Sequence, residues 1–250
     1  GPVDGWSVKW LFNGDFRLRD ISISHAELAA AFPIHFREGD PSKHFQGGTS
    51  GIGRVVSIRN RPTIHTLDIT SSDTTAQDKL TIIGPNAGSG WSPDTAHMGD
   101  FHSVPYLLTG DFWHLEELHF WASWAIGFPN GAATTASWGR GPTGAEGGMP
   151  YSQVRMQAWG LRQRTHAYDI TPDGDIEKLY FSACTNEAIS IWEGNYNISG
   201  TSFTCSTLWA WGRTYYADNT NPPPLGQWHF GDVGFNQDNY GINVSVSEEA

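Results

Sequence analysis

The sequence lacks the features of a membrane-spanning or nucleic-acid-binding protein. No segment reaches the ~18 consecutive apolar residues that a spanning helix requires, and no signal-peptide pattern is present. Basic residues are scarce: 15 Lys and Arg stand against 26 Asp and Glu, so the formal net charge is −11. Because binding to nucleic acid requires a concentrated basic surface, we expect neither a nucleic-acid partner nor a membrane span.

Cysteine is also scarce, and two nucleophile motifs are missing. Cys184 and Cys205 are the only cysteines, and they either pair in an exported protein or remain buried thiols. No Gly-x-Ser-x-Gly elbow occurs. The glycine-rich stretch from Gly48 to Gly53 is not followed by Lys-Ser/Thr, so it does not predict a phosphate loop. Catalysis by a serine or cysteine nucleophile is therefore not favoured.

Aromatic residues and glycine are abundant instead. The 250 residues contain 12 Trp, 13 Phe, 8 Tyr and 29 Gly, with a hydrophobic fraction of 38%. Aromatic side chains must therefore fill much of the interior or line clefts. The glycines predict many turns and long loops.

The N-terminal third predicts β-structure. Residues 6–12 and 16–24 alternate apolar with polar side chains around the turn Asn13-Gly14-Asp15, which predicts a hairpin. Alternation returns over residues 54–69. We therefore predict a small antiparallel β unit over residues 1–78, in which Gly1-Pro2 resembles a protease-cleavage scar. The polar stretch 71–77 places the domain boundary there.

Beyond residue 79 the pattern becomes helical. Asp111 is a suitable N-cap for a helix whose inward stripe comprises Leu115, Leu118, Ala122 and Ala125. A second helix is predicted from Val154, and a third with Thr171 as N-cap and Pro172 as its first residue. Further helices are predicted over residues 203–217 and from Asp238. The predicted class is therefore α+β, with helical hairpins over residues 79–250.

Several segments resemble bacterial carbohydrate-active proteins built on an α/α toroid, among them polysaccharide lyases and glycoside hydrolases. The resemblance lies in His97 to Asp111 with Glu116 to Trp121, and in Arg155 to Arg162 with Thr171-Pro172-Asp173, about a third of the chain. It implies a secreted protein, extracellular or periplasmic, with a polysaccharide-binding cleft in the helical domain. The predicted helices are too few for six hairpins, so we expect a fragment or a truncated toroid.

The second predicted helix carries a stripe suited to an anionic sugar chain. Arg155, Trp159, Arg162 and His166 follow at i, i+4, i+7 and i+11, which places the two guanidiniums ~10 Å apart on one face. Arginine matches a carboxylate or sulfate, and tryptophan offers a flat apolar face. The alternative is that these arginines pair with internal acids such as Glu187 or Asp173.

An acid–base set is predicted next to the first helix of this region. His97, Asp100 and His102 lie close to Tyr106 in sequence, and a histidine oriented by a carboxylate can transfer protons near neutral pH. The toroid lyases that the chain resembles need a His or Tyr base and a group that neutralises a uronate carboxylate. The alternative is that each histidine caps a helix or bonds a loop carbonyl.

Loop residues complete the set of candidates. Glu146 and Tyr151 flank a glycine-rich segment that enters the arginine stripe, so both are candidate catalytic groups. Trp91 and Trp138 lie in glycine-rich loops and are candidate sugar platforms.

No cofactor or metal is predicted. His114 and His119 are five residues apart, so on a helix they are rotated by ~140° and point to different faces, unlike a metalloprotease pair. A metal held by His97 and His102 with Asp100 is a weaker alternative, and it would indicate a metal-dependent hydrolase.

The sequence thus leaves two main hypotheses. The first is an enzyme that cleaves an acidic polysaccharide by β-elimination or hydrolysis, with His97 or Tyr151 as base or acid. Arg155 and Arg162 would hold the anionic group of the polysaccharide. Trp159 and Trp91 would each stack on a sugar ring. The second is a noncatalytic glycan-binding or structural module of a larger protein.

Overall fold

A computed structural model of the chain describes residues 4–46, 48–62, 64, 91, 93, 99–127, 145, 154–195, 198–199 and 202–203. Side chains at 154–157 and beyond 190 are not described. Over these ranges the chain forms six helices and one short antiparallel ribbon. The elements are α1 (Gly5–Asn13), α2 (Phe16–Ala29), α3 (Ser103–Thr109), α4 (Phe112–Gly127), α5 (Val154–Ile170), α6 (Ile176–Asn195), β1 (Ile198–Ser199) and β2 (Ser202–Phe203).

The predicted N-terminal β-hairpin is wrong, because residues 5–29 form two helices. The side chain of Asp4 caps α1 by accepting hydrogen bonds from the backbone N–H groups of Trp6 and Ser7. Gly14 ends α1 with a φ of 66°, a left-handed conformation that glycine adopts without steric cost. Asp15 then caps α2. The predicted turn is therefore the junction between two capped helices.

The pattern of small residues explains this error. Ser22, Ala26 and Ala29 are buried at i, i+4 and i+7 of α2, and Oγ of Ser22 lies 2.5 Å from Oγ of Ser7 on α1. The inward face of the helix pair is thus made of small side chains that bring the two backbones close together. The apolar residues whose alternation predicted strands are largely exposed instead.

The described residues between 34 and 64 form an irregular arm rather than a sheet. Among them the structure has only isolated bridges, such as Arg37 with Val55 and His44 with Ser50. The described part of the chain is helical, and its one sheet is the two-residue ribbon β1–β2 near its end. The α+β class with an N-terminal antiparallel β unit is therefore incorrect.

Helix α4 is buried on all its faces from Glu117 onward. It begins directly after Asp111, whose Oδ1 accepts a hydrogen bond of 3.0 Å from the backbone N–H of Trp113, so the predicted N-cap is confirmed. The predicted stripe from Leu115 to Ala125 is buried, and so are Trp121 and Trp124. This helix is the centre of the described structure.

Consecutive helices in this region are antiparallel: α5 runs antiparallel to α4, and α6 runs antiparallel to α5. Gly160 of α5 lies next to Ala125 near the end of α4, whereas His119, earlier in α4, bonds Thr171 just after α5. Arg164 donates to the carbonyl of Cys184 at 3.2 Å, and these residues are equally far from the turn at Gly174. Cys184 is buried and forms no disulfide bond; Cys205 lies outside the described residues.

The predicted start of α6 is wrong by one turn. The helix begins at Ile176, and Oδ1 of Asp175 accepts from the backbone N–H of Glu177 at 3.1 Å. Thr171 instead donates its hydroxyl proton to the carbonyl of Ala167 at 2.5 Å, so it belongs to the end of α5.

One hydrophobic cluster joins the arm to the helices. Ile34, Val56 and Ile58 of the arm pack in the same cluster as Leu118 of α4 and Phe181 of α6. The predicted domain boundary and the helices predicted beyond residue 203 lie outside the described residues. No helix in the described ranges is both long and apolar enough to cross a membrane.

Candidate functional site

The start of α3 and the last turns of α5 meet at Asp100. Oδ2 of this carboxylate lies 2.5 Å from Nδ1 of His166 on α5 and also accepts a hydrogen bond from the hydroxyl of Ser103. Oδ1 accepts from the backbone N–H of Ser103 at 3.2 Å. Gln163 donates to the carbonyl of Gly99 at 2.6 Å. The loop before α3 is therefore fixed against α5 through Asp100.

Asp100 is ionised although its side chain is fully buried. Burial by itself raises a carboxyl pKa, but the hydrogen bond and charge of His166, the charge of Arg162 and the Ser103 hydroxyl outweigh it and lower the pKa to about 2. A buried carboxylate of this kind orients its imidazole partner and stabilises the protonated ring. Asp100 thus has the environment of the orienting acid in a His–Asp pair.

His166 is the partly exposed member of the pair. Its side chain is 22% exposed, and within the described residues only Nδ1 is hydrogen-bonded. Because Asp100 accepts at Nδ1, the neutral ring carries its proton there and Nε2 is left as a base or, when protonated, as an acid. The arrangement can move a proton at Nε2.

Arg162 does not present an open guanidinium to solvent. It is 3% exposed, and its guanidinium carbon lies 4.1 Å from the ring centroid of Trp159. Of the acids that the sequence offered as partners, Glu187 pairs with Arg59 at 2.8 Å and Asp173 with Lys178 at 2.9 Å. The charge of Arg162 acts on Asp100, and its guanidinium covers one face of the Trp159 indole.

His102 lies beside this site but is enclosed. It is 1% exposed, and its Nδ1 lies 3.4 Å from Nδ1 of His114. Burial and the neighbouring His114 lower the pKa of His102 to about 3, so the ring is neutral. An enclosed neutral imidazole has no route to a polymer, and His166 is the better candidate for the role that the sequence assigned to His102.

The remaining predicted residues are only partly brought together. Tyr106 is half-buried on α3, one turn after Ser103. Trp91 is 41% exposed and contacts Phe32 edge to face, with ring centroids 5.3 Å apart, so it lies beside the segment between α2 and the arm. Arg155 lies in the first turn of α5, and its side chain is not described. His97, Tyr151, Glu146 and Trp138 lie outside the described residues.

His114 and His119 point to different partners, as their spacing predicts. His114 faces His102, whereas Nε2 of His119 lies 2.7 Å from the Thr171 hydroxyl. Among the described residues, no three His, Cys, Asp or Glu side chains are grouped in a way that could hold a metal ion.

Similarity to known proteins does not assign this chain to a family. No protein-family model, characterised protein or solved structure matches it. The function must therefore be argued from the site itself. The pairing of His166 with Asp100 had one signal in the sequence, which was the position of His166 on the stripe of Trp159 and Arg162.

Proposed function

We propose that this chain is a carbohydrate-active enzyme that cleaves an acidic polysaccharide by β-elimination or hydrolysis, with His166 as the proton-transfer group. The observation that carries the proposal is the hydrogen bond from Nδ1 of His166 to the buried, ionised Asp100. Both reactions need a proton moved at a defined atom, and Nε2 of a carboxylate-oriented imidazole supplies that function.

The polysaccharide substrate is inferred from the surroundings of the pair and from the family resemblance. Trp159 and Arg162 lie on the same helix as His166, and Arg155 lies in the first turn of that helix. Since Arg162 is buried against Trp159, we assign it to the electrostatics of Asp100. Arg155 is the residue that we propose for binding the anionic group of the sugar. Action on such a polymer would place the protein outside the cell or in the periplasm.

A noncatalytic glycan-binding or structural module of a larger protein is the second candidate. The observation that favours a structural role is that Asp100 fixes the loop before α3 against α5 through its hydrogen bonds with Ser103 and His166. In that case Asp100 and His166 would only join α3 to α5.

A polysaccharide panel distinguishes the two candidates. The protein is incubated with uronic-acid polysaccharides. Absorbance detects the unsaturated products of β-elimination, and a chemical assay detects the new reducing ends that either reaction produces. Binding to each polysaccharide is measured in parallel. We expect product from at least one polymer, and a rate reduced ~10²- to 10⁴-fold by His166→Gln. The control is His25→Gln, which replaces an exposed histidine of α2.

Two results would contradict the enzymatic proposal. One is the absence of product from every acidic polysaccharide. The other is product formation that His166→Gln leaves at the wild-type rate. Binding without product, unchanged by His166→Gln, would support the glycan-binding module instead.

A further inference from the structure

A separate pocket of about 280 Å³ opens between the arm, α4 and α6. The arm contributes residues 52–55 and Arg37, α4 contributes its first turns, and α6 contributes its N-terminal end. None of the residues that surround Asp100 and His166 lines this pocket. Its size is just below the ~300 to 1,000 Å³ of typical small-ligand sites, so it can accept one small molecule.

The charged side chains of the pocket form pairs of opposite sign. Arg37 donates to Oε1 of Glu116 at 2.9 Å. Arg54 donates to Glu177, and its Nη1 also lies 3.8 Å from Oδ1 of Asp175. Each guanidinium is therefore held next to a carboxylate at the pocket wall.

This pairing disfavours a strongly charged ligand. Two guanidiniums face three carboxylates, and burial together with Asp175 raises the pKa of Glu177 to about 7. Near neutral pH the net charge of the lining is thus between −1 and zero. An anion would meet the carboxylates and a cation would meet the guanidiniums, so neither gains much by binding.

The same ion pairs leave both hydrogen-bond donors and hydrogen-bond acceptors available to a ligand. Arg37 uses one N–H for the Gly53 carbonyl and one for Glu116, although a guanidinium has five donors and an ionised carboxylate about four acceptor positions. The wall of the pocket thus offers both donors and acceptors. A hydroxyl group, which both donates and accepts, matches such a wall better than any singly charged group does.

The rim of the pocket adds an apolar surface. Phe112, the first residue of α4, is 57% exposed although it is a large apolar side chain. Phe120 lies deeper, with the guanidinium carbon of Arg37 4.8 Å from its ring centroid. A phenyl ring beside donors and acceptors suits a ligand with a C–H face and a hydroxyl edge.

We propose that this pocket binds one neutral, polyhydroxylated sugar residue. Its hydroxyls would bridge Arg37 with Glu116 and Arg54 with Asp175, and one face of its ring would lie on Phe112. The proposal is independent of the cleavage reaction, because it concerns binding at residues that the proposed catalytic pair does not include.

Ligand-observed saturation-transfer NMR tests this binding. The probes are the methyl glycosides of glucose, galactose and mannose, with glucuronate and glucosamine as charged comparisons. The variants are Phe112→Ala and Glu116→Gln, and the matched control is Phe12→Ala, which removes a phenyl ring that is 89% exposed on α1. Circular dichroism establishes that each variant is folded.

We expect at least one neutral glycoside to bind, and each pocket variant to weaken that binding by at least about threefold. Phe12→Ala should bind like the wild type. The proposal is overturned if no neutral glycoside binds, if a charged sugar binds as tightly, or if both pocket variants keep wild-type affinity.

Discussion

Nε2 of His119 donates a hydrogen bond of 2.7 Å to the hydroxyl of Thr171, which in turn donates to the carbonyl of Ala167. Both side chains are buried. Because the hydroxyl proton of Thr171 points to the carbonyl of Ala167, the ring proton of His119 lies on Nε2. It also ties the middle of α4 to the end of α5, and so helps to position the helix that carries His166.

Replacing Thr171 with Val should destabilise the protein by ~1 to 3 kcal/mol. Valine keeps the shape but removes the acceptor, so the buried N–H of His119 is left without a partner. The measurement is denaturant-induced unfolding. Thr49→Val, at an exposed loop position, should change stability by less than about 0.5 kcal/mol. Equal effects of the two substitutions would contradict the role of Thr171.

His119→Gln should weaken the acid sensitivity of the fold. Burial lowers the pKa of His119 from 6.5 to about 4, so its contribution to stability is present above pH 6.5 and is lost as pH falls through about 4. Glutamine can still donate to Thr171 but does not titrate. The free energy of unfolding between pH 6.5 and 4 should therefore fall less steeply in the variant, by up to ~1.4 kcal/mol per pH unit.

Glu177→Gln should change the pH dependence in the opposite direction. Burial and Asp175 raise the pKa of Glu177 from 4.5 to about 7, against the opposing charge of Arg54. Its stabilising contribution is present below pH 4.5 and is lost as pH rises through about 7. Between these values the wild type should lose stability relative to the variant. The measurement is the free energy of unfolding in urea as a function of pH for the wild type and Glu177→Gln. Parallel profiles for the two proteins would contradict the prediction, because Glu177 would then titrate normally.

Leu118→Ala should cost ~2 to 5 kcal/mol, because Leu118 is 1% exposed within the main hydrophobic cluster and its removal leaves a cavity. Leu108→Ala is the matched control, since Leu108 is exposed on α3. Thermal and denaturant unfolding measure both. A small effect at Leu118 would mean that the arm and the helices do not share one core.

The sequence predicted helices where apolar spacing and capping agree. Asp111 and the stripe from Leu115 to Ala125 specified α4, and both features are present in the structure. The N-terminal helices were missed because their inward face consists of Ser22, Ala26 and Ala29, which carry little hydrophobic signal. Strand-like alternation of the exposed residues was misleading there.

The site was predictable only in part. The spacing of Trp159, Arg162 and His166 placed them on one face of α5, and Asp100 was recognised as part of an acid–base set. Periodicity alone could not show that Asp100 meets His166, because that contact joins residues 66 positions apart. Nor could it show that Arg162 is buried on Trp159, since burial depends on how α5 packs against its neighbours.

The tautomer of His166 tests the central claim most directly, and ¹⁵N-detected NMR of the histidine rings measures it. With Asp100 ionised, the neutral ring should carry its proton on Nδ1 and leave Nε2 unprotonated. Asp100→Asn should remove this preference, and His25 in the same spectra provides the exposed reference. A neutral His166 protonated on Nε2 in the wild type would contradict the account, because the atom assigned to proton transfer would then already carry a proton.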